Sequence, residues 1–452
     1  MPRNATVTHI RSAPRGVTQH AMSLETLPAR YRAVRQATLA LAAGLSAEDC
    51  ALQSMPDASP VKWHLAHTSW FFETFVLEKA LAGYSHFHPH YRMLFNSYYV
   101  GVGERHPRPE RGLLSRPALE DILRYREHVD QGMQRVLGDA DALPKNLRDL
   151  IELGMHHEQQ HQELILTDLK HLFSRNALRP TFRERLGAEH GNDVARRAGS
   201  TSALQWIEGA DGLHRIGHSE GDGEFTFDNE LPSHRVFLEP HALGSRLVTN
   251  GEYQAFIEDG GYARPELWLS EGWDTLQAQR WQAPLYWEKR DGLSDASWQT
   301  FTLFGMEPLD AAEPVCHVSY FEADAYARWA GARLPYETEW EALAAPLNTE
   351  GNFVEKGSFR PLSAPAAATA DPQQMFGDLW EWTHSTYAPY PGYSPAPGAV
   401  GEYNGKFMVN QYVLRGGSFA TPHSHIRASY RNFFPAAARW QFMGIRLARS
   451  QA

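Results

Sequence analysis

The stretch from Leu147 to Lys170 constrains the fold of this chain more than any other part of its sequence. Along it, one set of side chains recurs alternately four and three residues apart, at Leu150, Gly154, His157, His161, Leu164 and Asp168. That spacing places the set on one face of an α-helix, the face that turns toward a core. His157 and His161 then lie one turn apart, where their imidazoles can bind one metal ion. Two core histidines satisfied by hydrogen bonds are the alternative, but burying two imidazoles beside several carboxamides is costly.

The rest of the N-terminal half predicts a helical bundle around this stretch. Apolar residues at helical spacing predict three further helices, at Leu24–Leu45, Val61–Leu81 and Pro117–Leu137. A long connection from Gly83 to Arg116 follows the second of them, and long ordered loops in such a layout are usually functional. Cores of helical bundles are common places for metal sites. We therefore expect a four-helix bundle over residues 21–175, preceded by a mobile tail over residues 1–20.

The sequence changes character beyond a linker expected over residues 176–200, which is rich in Arg, Gly, Asn and Ala. Gly, Pro, Trp and Tyr then interrupt short apolar runs such as Arg235–Leu238, and two helical segments, Asn250–Ile257 and Tyr320–Ala330, lie among them. These patterns predict a second domain over residues 201–452, mixed in secondary structure and rich in loops. A chain of 452 residues is too long for one ordinary core, and the predicted fold class is α+β.

Charge and hydropathy exclude several classes of function. The net charge of −10 leaves no basic surface for nucleic acid. No apolar run approaches the length of a membrane span, and the N-terminus lacks the apolar core of a secretory signal. Cys50 and Cys316 are too few for a disulfide framework. We therefore expect a cytoplasmic protein that binds neither nucleic acid nor membrane, while its oligomeric state is left open.

The run His157–His161 reads His-Glu-Gln-Gln-His, the spacing of a zinc-metalloprotease motif in which the glutamate polarises a metal-bound water. The extended form of that motif fails, because Leu164 and Thr167 stand where a glycine and a third histidine belong. A metal-dependent hydrolase stays an alternative, since a glutamate further along the chain could serve as the third ligand.

A third histidine is also available upstream, in the segment Trp63–His67 on a different predicted helix. Either His64 or His67 could serve, and periodicity does not separate the two. One histidine from one helix and two from another would leave half of the coordination sphere open. Three neutral imidazoles suit iron, zinc or copper, and spacing alone does not choose among these metals.

Segments from both halves of the chain together indicate a known family. The bundle contributes Leu65–Phe72 and His157–Glu163, and the C-terminal half contributes Arg333–Glu341, Phe376–Thr383, Leu414–Phe419 and Gly444–Leu447. From about Leu24 to Ala448 the chain resembles the sulfoxide synthases of ergothioneine biosynthesis, the EgtB family. The resemblance implies a DinB-like four-helix bundle followed by an irregular domain related to formylglycine-generating enzymes and C-type lectins. The joint occurrence is specific, whereas each half alone occurs with other functions.

One departure bears on the C-terminal domain. Formylglycine-generating enzymes use a cysteine pair after their Gly-Gly-Ser segment, and this chain has no cysteine between Gly416 and Asn432. Sulfatase activation is therefore not expected. The domain would instead serve as a substrate-binding lid over the metal of the bundle.

The resemblance implies that His67, His157 and His161 bind iron(II) and leave three positions open for hercynine (trimethylhistidine), cysteine and O2. Iron supplies redox electrons that zinc cannot, and a metal-bound thiol is deprotonated. The implied reaction joins the cysteine sulfur to C2 of the hercynine imidazole and gives hercynylcysteine sulfoxide. Positions that bind hercynine in the family match Gln160, Tyr403, Asn432, Phe433 and Phe434. Gln160 would meet the carboxylate and the aromatic faces would suit the trimethylammonium group, with ordinary core packing as the alternative for the aromatic residues.

A second departure concerns the catalytic phenol. The actinobacterial type of the family has a catalytic tyrosine where this chain has Val400, whereas Tyr98 and Tyr99 match the tyrosine pair of the other type. A phenol can donate a proton or a hydrogen atom early in the reaction, which favours C–S bond formation over oxidation of the thiol. The sequence does not decide which of the two tyrosines faces the metal.

The positions that would bind the thiol also differ from the actinobacterial type of the family. Phe434 replaces an aspartate that helps to bind γ-glutamylcysteine, so the expected thiol is free cysteine. Arg108 and Arg111 are spaced as the family's carboxylate-binding pair, with solvated loop arginines as the alternative. Alternatives within the class are an ovothiol-type synthase and a relative that uses a selenosugar. From other classes, the alternatives are the metal-dependent hydrolase and a lectin-like binding module with a structural metal.

Overall fold

The computed structural model describes residues 26–184, 202–219, 221, 223–289, 298–365 and 371–451. The expected tail over residues 1–20 lies outside these residues. So does the larger part of the expected linker, residues 185–200.

The N-terminal half is the predicted helical bundle. Its helices are α1 (Leu27–Ala42), α2 (Val61–Phe72), α3 (Glu78–Ala80), α4 (Tyr91–Leu94), α5 (Leu119–Leu137) and α6 (Lys145–Ser174). The four predicted helices are present with ends shifted by a few residues. The second one is helical from Val61 to Ala80 and contains a π-helical turn, Glu73–Leu77, that joins α2 to α3. The buried Tyr125 hydroxyl holds that turn, since it donates to the Glu73 carboxylate at 2.6 Å.

Helix α6 packs against both the bundle and the C-terminal domain. It begins directly after Pro144, where a proline is tolerated because the first turn needs no donor, and it runs for 30 residues. Gly154 lets α2 approach closely, since a Cβ there would lie 2.6 Å from the Phe72 ring. In the middle of α6, every residue from Gly154 through Gln159 is buried, so the helix is covered on all sides there. The sequence stripe predicted one buried face, and the second buried face arises because the C-terminal domain packs on it.

The C-terminal half contains short strands and helices within long loops. Its described strands are β1 (Trp206–Glu208), β2 (Gly212–Ile216), β3 (His234–Leu238), β4 (His241–Gly244), β5 (Trp287–Lys289), β6 (Trp298–Thr302), β7 (Gly305–Pro308), β8 (Trp380–Thr386), β9 (Tyr412–Arg415), β10 (Asn432–Phe434), β11 (Met443–Gly444) and β12 (Ala448–Ser450). They pair in the orders β10-β9-β8-β11, β1-β4-β12, β5-β6-β7 and β2-β3. The first of these sheets lies nearest the site, because β10 carries three of the predicted substrate-binding residues, with Phe433 opposite Val413 of β9.

Two predicted helices of this half are confirmed, as α7 (Asn250–Glu258) and α9 (Tyr320–Trp329). Two further helices, α8 (Ser270–Gln279) and α10 (Glu337–Ala344), were not predicted. Both are short and their apolar positions cover less than three turns, so periodicity is a weak signal there.

Buried ion pairs hold the loops of the C-terminal half together. Arg415 is fully buried, and its guanidinium lies 2.8 Å from Glu337 and 2.9 Å from Glu341 of α10. Arg446 makes a similar buried pair with Glu381 at 2.7 Å. Paired and hydrogen-bonded in this way, the charges fix loop positions where regular secondary structure is sparse.

The two halves meet along the outer face of α6. The Glu163 carboxylate accepts hydrogen bonds from Ser418 at 2.6 Å, Thr421 at 2.7 Å and the Trp380 indole at 2.9 Å. Gln159 donates to Ser424 at 2.5 Å. These contacts dock the segment after the Gly-Gly-Ser run onto the helix that carries the histidine pair. Nowhere in the described ranges is a helix both long and apolar enough for a membrane crossing.

Candidate metal centre

Three buried histidines converge at the crossing of α2 and α6. One ligand nitrogen from each of His67, His157 and His161 lies within 4.8 Å of the others. Their rings are enclosed by aromatic side chains: His67 stacks between Trp63 and Trp70, with ring centroids 4.6 and 5.4 Å away. The α-helical register therefore supplies two of the nitrogens and the helix crossing supplies the third.

Hydrogen bonds to the outer nitrogens orient two of these rings. His67 Nδ1 donates to the backbone carbonyl of Phe95 at 2.6 Å, which leaves Nε2 without a proton and aimed at the cluster. That Nε2 lies 3.2 Å from His157 Nε2. His161 Nδ1 lies 2.8 Å from His64 Nδ1, so its Nε2 is also left for the cluster.

His64 lies behind His161 and outside the group of three. Its second nitrogen is 3.0 Å from the Asp168 carboxylate, which also accepts the backbone N–H of Ser59 at 2.8 Å. A chain from Asp168 through His64 to His161 thus sets the ring orientation of His161. Outer partners of this kind fix the tautomer and direction of metal-binding histidines.

The chemistry of the donor set fits a metal ion. Burial lowers the pKa of all three histidines, to about 3 for His157, so they are neutral at pH 7. Neutral imidazole is the form that binds metal. Three imidazole nitrogens that converge from two helices form one triangular face of a coordination sphere, which suits iron(II) as well as zinc or copper.

The glutamate of the His-Glu-Gln-Gln-His run does not face the histidines. Glu158 is fully buried and accepts from Arg35 at 2.8 Å and from Arg126 at 2.9 Å. Desolvation opposes its ionisation, yet the two guanidinium groups hold its pKa at about 2. A metal-dependent hydrolase would need this carboxylate as a free base beside the metal. The bundle uses it instead as a structural counter-charge.

A cavity of about 320 Å³ lies over the histidines, between the bundle and the C-terminal domain. Most of the predicted site residues line it: Tyr98, Arg108, Arg111, His157, Gln160, His161, Tyr403, Asn432, Phe433 and Phe434. His67 and Tyr99 lie behind this wall. Residues separated by more than 300 positions in the chain therefore meet at one site.

The two predicted arginines differ in their surroundings. Arg111 is 3% exposed, lies 3.4 Å above the Trp63 ring and donates to Ser59 and Ser97 at 2.9 and 3.1 Å. Burial lowers its pKa, and it forms no salt bridge within the described residues. Arg108 is exposed and donates to the backbone carbonyl of Asp57. Arg111 is thus a buried cation that faces the cavity, with Asp168 near it but in no direct ion pair among the described residues, which is an arrangement suited to a ligand carboxylate.

The tyrosine pair is divided between the cavity and the core. Tyr98 lines the cavity, with its ring 5.2 Å from Phe407 and 5.9 Å from Tyr403. Tyr99 is 1% exposed and packs between Trp70 and Phe75, with centroids 5.6 and 5.2 Å away. Burial raises the pKa of Tyr98 well above its usual value, so its phenol keeps its proton at pH 7. Of the two, Tyr98 is the one placed to give a proton to a molecule in the cavity.

The C-terminal wall contains groups that the sequence did not single out. Tyr430 accepts from Gln160 at 2.6 Å and pairs with His425 at 3.0 Å, and all three residues line the cavity. The side-chain amide oxygen of Asn229, Oδ1, is buried there without a hydrogen-bond partner in the described structure. Phe433 stacks on Tyr387 at 4.0 Å. Tyr430, His425 and Asn229 lie outside the α-helices and strands, where no periodic pattern marks the side chains that turn inward.

Both halves match known domain families. Residues 30–165 match the DinB superfamily, and residues 207–361 and 350–451 match the sulfatase-modifying factor enzyme 1-like domain. The predicted α+β architecture, a DinB-like bundle followed by a formylglycine-generating-enzyme-like domain, is thereby confirmed. The chain combines these two domains in the order that the sequence analysis expected.

Relatives that align over most of both chains indicate the family of the protein. The chain is 34% identical over 456 residues to a hercynine oxygenase of Mycobacterium tuberculosis, an alignment that covers 94% of this chain and 99% of the relative. It is 33% identical over 427 residues to a hercynine oxygenase of Mycolicibacterium thermoresistibile, covering 87% and 88% of the two chains. A formylglycine-generating enzyme of Thermomonospora curvata is 27% identical over 286 residues, 55% of this chain and 91% of that protein.

The class of protein is thus an oxygen-dependent oxidoreductase whose bundle carries a buried group of three histidines suited to a metal ion. The chain belongs to the hercynine oxygenase family.

Proposed function

We propose that the protein is an iron(II)-dependent sulfoxide synthase that joins the sulfur of cysteine to C2 of the hercynine imidazole. The observation that carries this function is the group of three buried histidines at the floor of a cavity that both domains build. The reaction balances with O2 as the oxidant. The C2–H and S–H bonds break, C–S and S–O bonds form, and the second oxygen atom leaves as water.

His67, His157 and His161 would hold the iron, each through Nε2. Iron(II) bound there would supply electrons for the reduction of O2 and would bind the thiol as a thiolate. Zinc fits the same nitrogens but lacks that redox chemistry. The aromatic rings around the histidines keep bulk water from this end of the cavity.

The C-terminal wall and the outer face of α6 would hold hercynine. Gln160 is fixed by its bond to Tyr430 and can donate its second amide hydrogen to the substrate carboxylate. Phe433 and Tyr403 offer aromatic faces to the trimethylammonium group, and Asn432 adds a polar side chain beside them. A cation without N–H donors is recognised by such faces rather than by hydrogen bonds.

The bundle wall would hold cysteine. Arg111 supplies the buried positive charge for its carboxylate, and Arg108 adds charge at the more exposed side. Phe434 places no acid where a longer thiol substrate would need one, so we propose free cysteine over γ-glutamylcysteine. Tyr98, on the loop that precedes these arginines, would donate the proton that directs the reaction to the C–S bond.

Oxygen consumption by iron-loaded protein tests this function. Protein purified without oxygen and loaded with iron(II) is expected to consume O2 when hercynine and cysteine are both present, with hercynylcysteine sulfoxide identified by mass spectrometry. Zinc-loaded protein is the matched control and should bind its metal without consuming O2. A lack of sulfoxide from the iron-loaded protein, or equal turnover of histidine and hercynine, would contradict the proposal.

A further inference from the structure

The loop that carries the tyrosine pair is held by the C-terminal domain. The Glu402 carboxylate accepts the backbone N–H of Val100 at 3.0 Å and that of Gly101 at 2.8 Å. Lys406 donates to Glu402 at 2.8 Å and also to the backbone carbonyl of Tyr98. We name this set of contacts the Glu402 clasp. It binds the chain on both sides of Tyr99, immediately beside the residue that faces the cavity.

The residues next to the Glu402 clasp, Tyr403 and Phe407, contact the Tyr98 ring in the cavity. Tyr403 directly follows Glu402, and its ring lies 5.9 Å from that of Tyr98 and 5.6 Å from that of His157. Phe407 directly follows Lys406 and meets the Tyr98 ring edge to face at 5.2 Å. The segment that bonds to the loop backbone therefore also forms the surface against which the Tyr98 side chain rests.

A side chain at Gly101 would displace the Glu402 carboxylate. A Cβ there would lie 2.9 Å from the Glu402 carboxylate and 3.5 Å from Ala399 Cβ. The carboxylate is ionised, because bonds from Lys406 and the two backbone amides lower its pKa against the effect of desolvation. A charged acceptor on two adjacent amides makes stronger hydrogen bonds than a neutral one.

The bundle, by contrast, fixes Tyr99. The Asn96 side chain accepts the backbone N–H of Tyr99 at 3.2 Å and donates to its carbonyl at 3.0 Å. The Tyr99 ring is held between core aromatics. The Tyr98 carbonyl accepts from the Val100 amide at 2.9 Å and also from Lys406, while the amides of Val100 and Gly101 both donate to Glu402.

We propose that Glu402 is a positioning residue that holds the Tyr98 phenol in the cavity. This inference rests on the proposed function, in which Tyr98 is the proton donor. Glu402 touches no substrate and acts only through the loop. The bundle would thus carry the proton donor, Tyr98, and the C-terminal domain would fix the position of its phenol.

Replacing the carboxylate tests the clasp. Glu402→Gln keeps the size of the side chain and removes its charge, so we expect faster amide exchange at Val100 and Gly101, measured by mass spectrometry on peptides spanning residues 96–106. In iron-loaded protein the ratio of sulfoxide to cysteine sulfinic acid should fall by about fivefold, roughly the effect of one lost hydrogen bond. Iron content should stay unchanged. Gly101→Ala, which displaces the carboxylate by contact, should act in the same direction.

Asp121→Asn is the matched control. The Asp121 carboxylate likewise accepts a backbone N–H, that of Ala118 at 2.9 Å, and pairs with a basic side chain, Arg124. It lies at the start of α5 and does not line the cavity, so its loss should leave the product ratio unchanged.

A double variant separates positioning from general damage. With Tyr98→Phe already in place, Glu402→Gln should not lower the ratio further, because the donor is gone. An unchanged ratio in Glu402→Gln alone, or an additive loss in the double variant, would overturn the positioning role. An unchanged ratio in Tyr98→Phe would overturn both this inference and the proposed role of Tyr98. Absence of sulfoxide in the unmodified protein would overturn the proposed function itself and this inference with it.

Discussion

The bundle and the C-terminal domain line the same cavity with different kinds of groups. Histidine nitrogens and the buried charge of Arg111 come from the bundle, most of them from long helices. Most of the aromatic faces come from the strands and loops of the C-terminal domain, as does the Asn432 amide, whereas the Gln160 amide comes from α6. A metal site needs its ligands held to within fractions of an ångström, which helices provide, whereas loops can vary to suit a substrate. The two domains therefore contribute differently to the cavity: the bundle supplies the three histidines and a buried cation, and the C-terminal domain supplies most of the aromatic wall.

The largest test of this division removes a metal ligand. Replacing His67, His157 or His161 with Ala should abolish stoichiometric iron binding and turnover, because an open three-histidine site cannot spare a nitrogen. Metal analysis of the purified variants measures it. His156→Ala is the control, since His156 lies outside the group of three histidines and stacks on Phe225 at 4.0 Å. Full iron content in any of the three ligand variants would show that the metal does not belong to the bundle alone.

Breaking an ion pair in the C-terminal domain should affect stability strongly. Arg415→Met leaves Glu341 without its buried partner and removes one of two from Glu337, at an expected cost of about 3–5 kcal/mol. Denaturant unfolding measures the change. The exposed pair of Lys145 and Asp149 offers the contrast, and Lys145→Met should leave stability unchanged. Equal effects of the two changes would mean that the buried pairs do not hold the loops.

The outer partners of His161 should tune metal affinity without abolishing it. Asp168→Asn or His64→Ala is expected to weaken metal binding by about 10- to 100-fold, because His161 loses the group that orients its ring. Competition with a chelator measures the affinity. If either variant loses metal as completely as His161→Ala does, then His64 is a ligand rather than a support.

The next prediction concerns the Tyr98 phenol, which lies where the two domains meet. Tyr98→Phe should shift product from sulfoxide toward cysteine sulfinic acid several-fold, since the ring stays and only the proton is lost. Tyr403→Phe should leave the ratio unchanged. Product ratios by mass spectrometry decide it. If only Tyr99→Phe moves the ratio, the core tyrosine acts as the donor and the cavity tyrosine does not.

The smallest expected effect concerns the thiol. Cysteine should be preferred when it competes with γ-glutamylcysteine at equal concentration, and Phe434→Asp should reduce that preference by placing a charge at the cavity wall. Comparing kcat/KM for the two thiols measures it. A clear preference of the unmodified protein for γ-glutamylcysteine would contradict the proposal that Phe434 selects cysteine.

Local periodicity determined much of the bundle. A helical repeat is a property of consecutive residues, so the spacing of His157 and His161 placed both imidazoles on one face before any contact was known. The same reasoning predicted the four helices. It could not predict that Glu158, between the two histidines, pairs with Arg35 and Arg126, because those partners lie on other helices.

Tertiary structure alone decided between neighbouring candidates. His64 and His67 lie one turn apart on α2, with ring centroids 5.0 and 4.8 Å from that of His161. Only the crossing of the helices makes one a member of the cluster and the other its support. Tyr98 and Tyr99 are adjacent in an irregular loop, where no repeat tells the cavity side from the core side.

The sequence by itself determined the two domains, the histidine pair and the family to which they belong. The tertiary structure decided which side chains of the loops face the cavity and how Glu402 joins the two domains. The physical reason is the range of the interactions. Helical periodicity acts over a few residues, whereas the clasp joins Glu402 to amides about 300 positions away, and no local pattern encodes such a pairing.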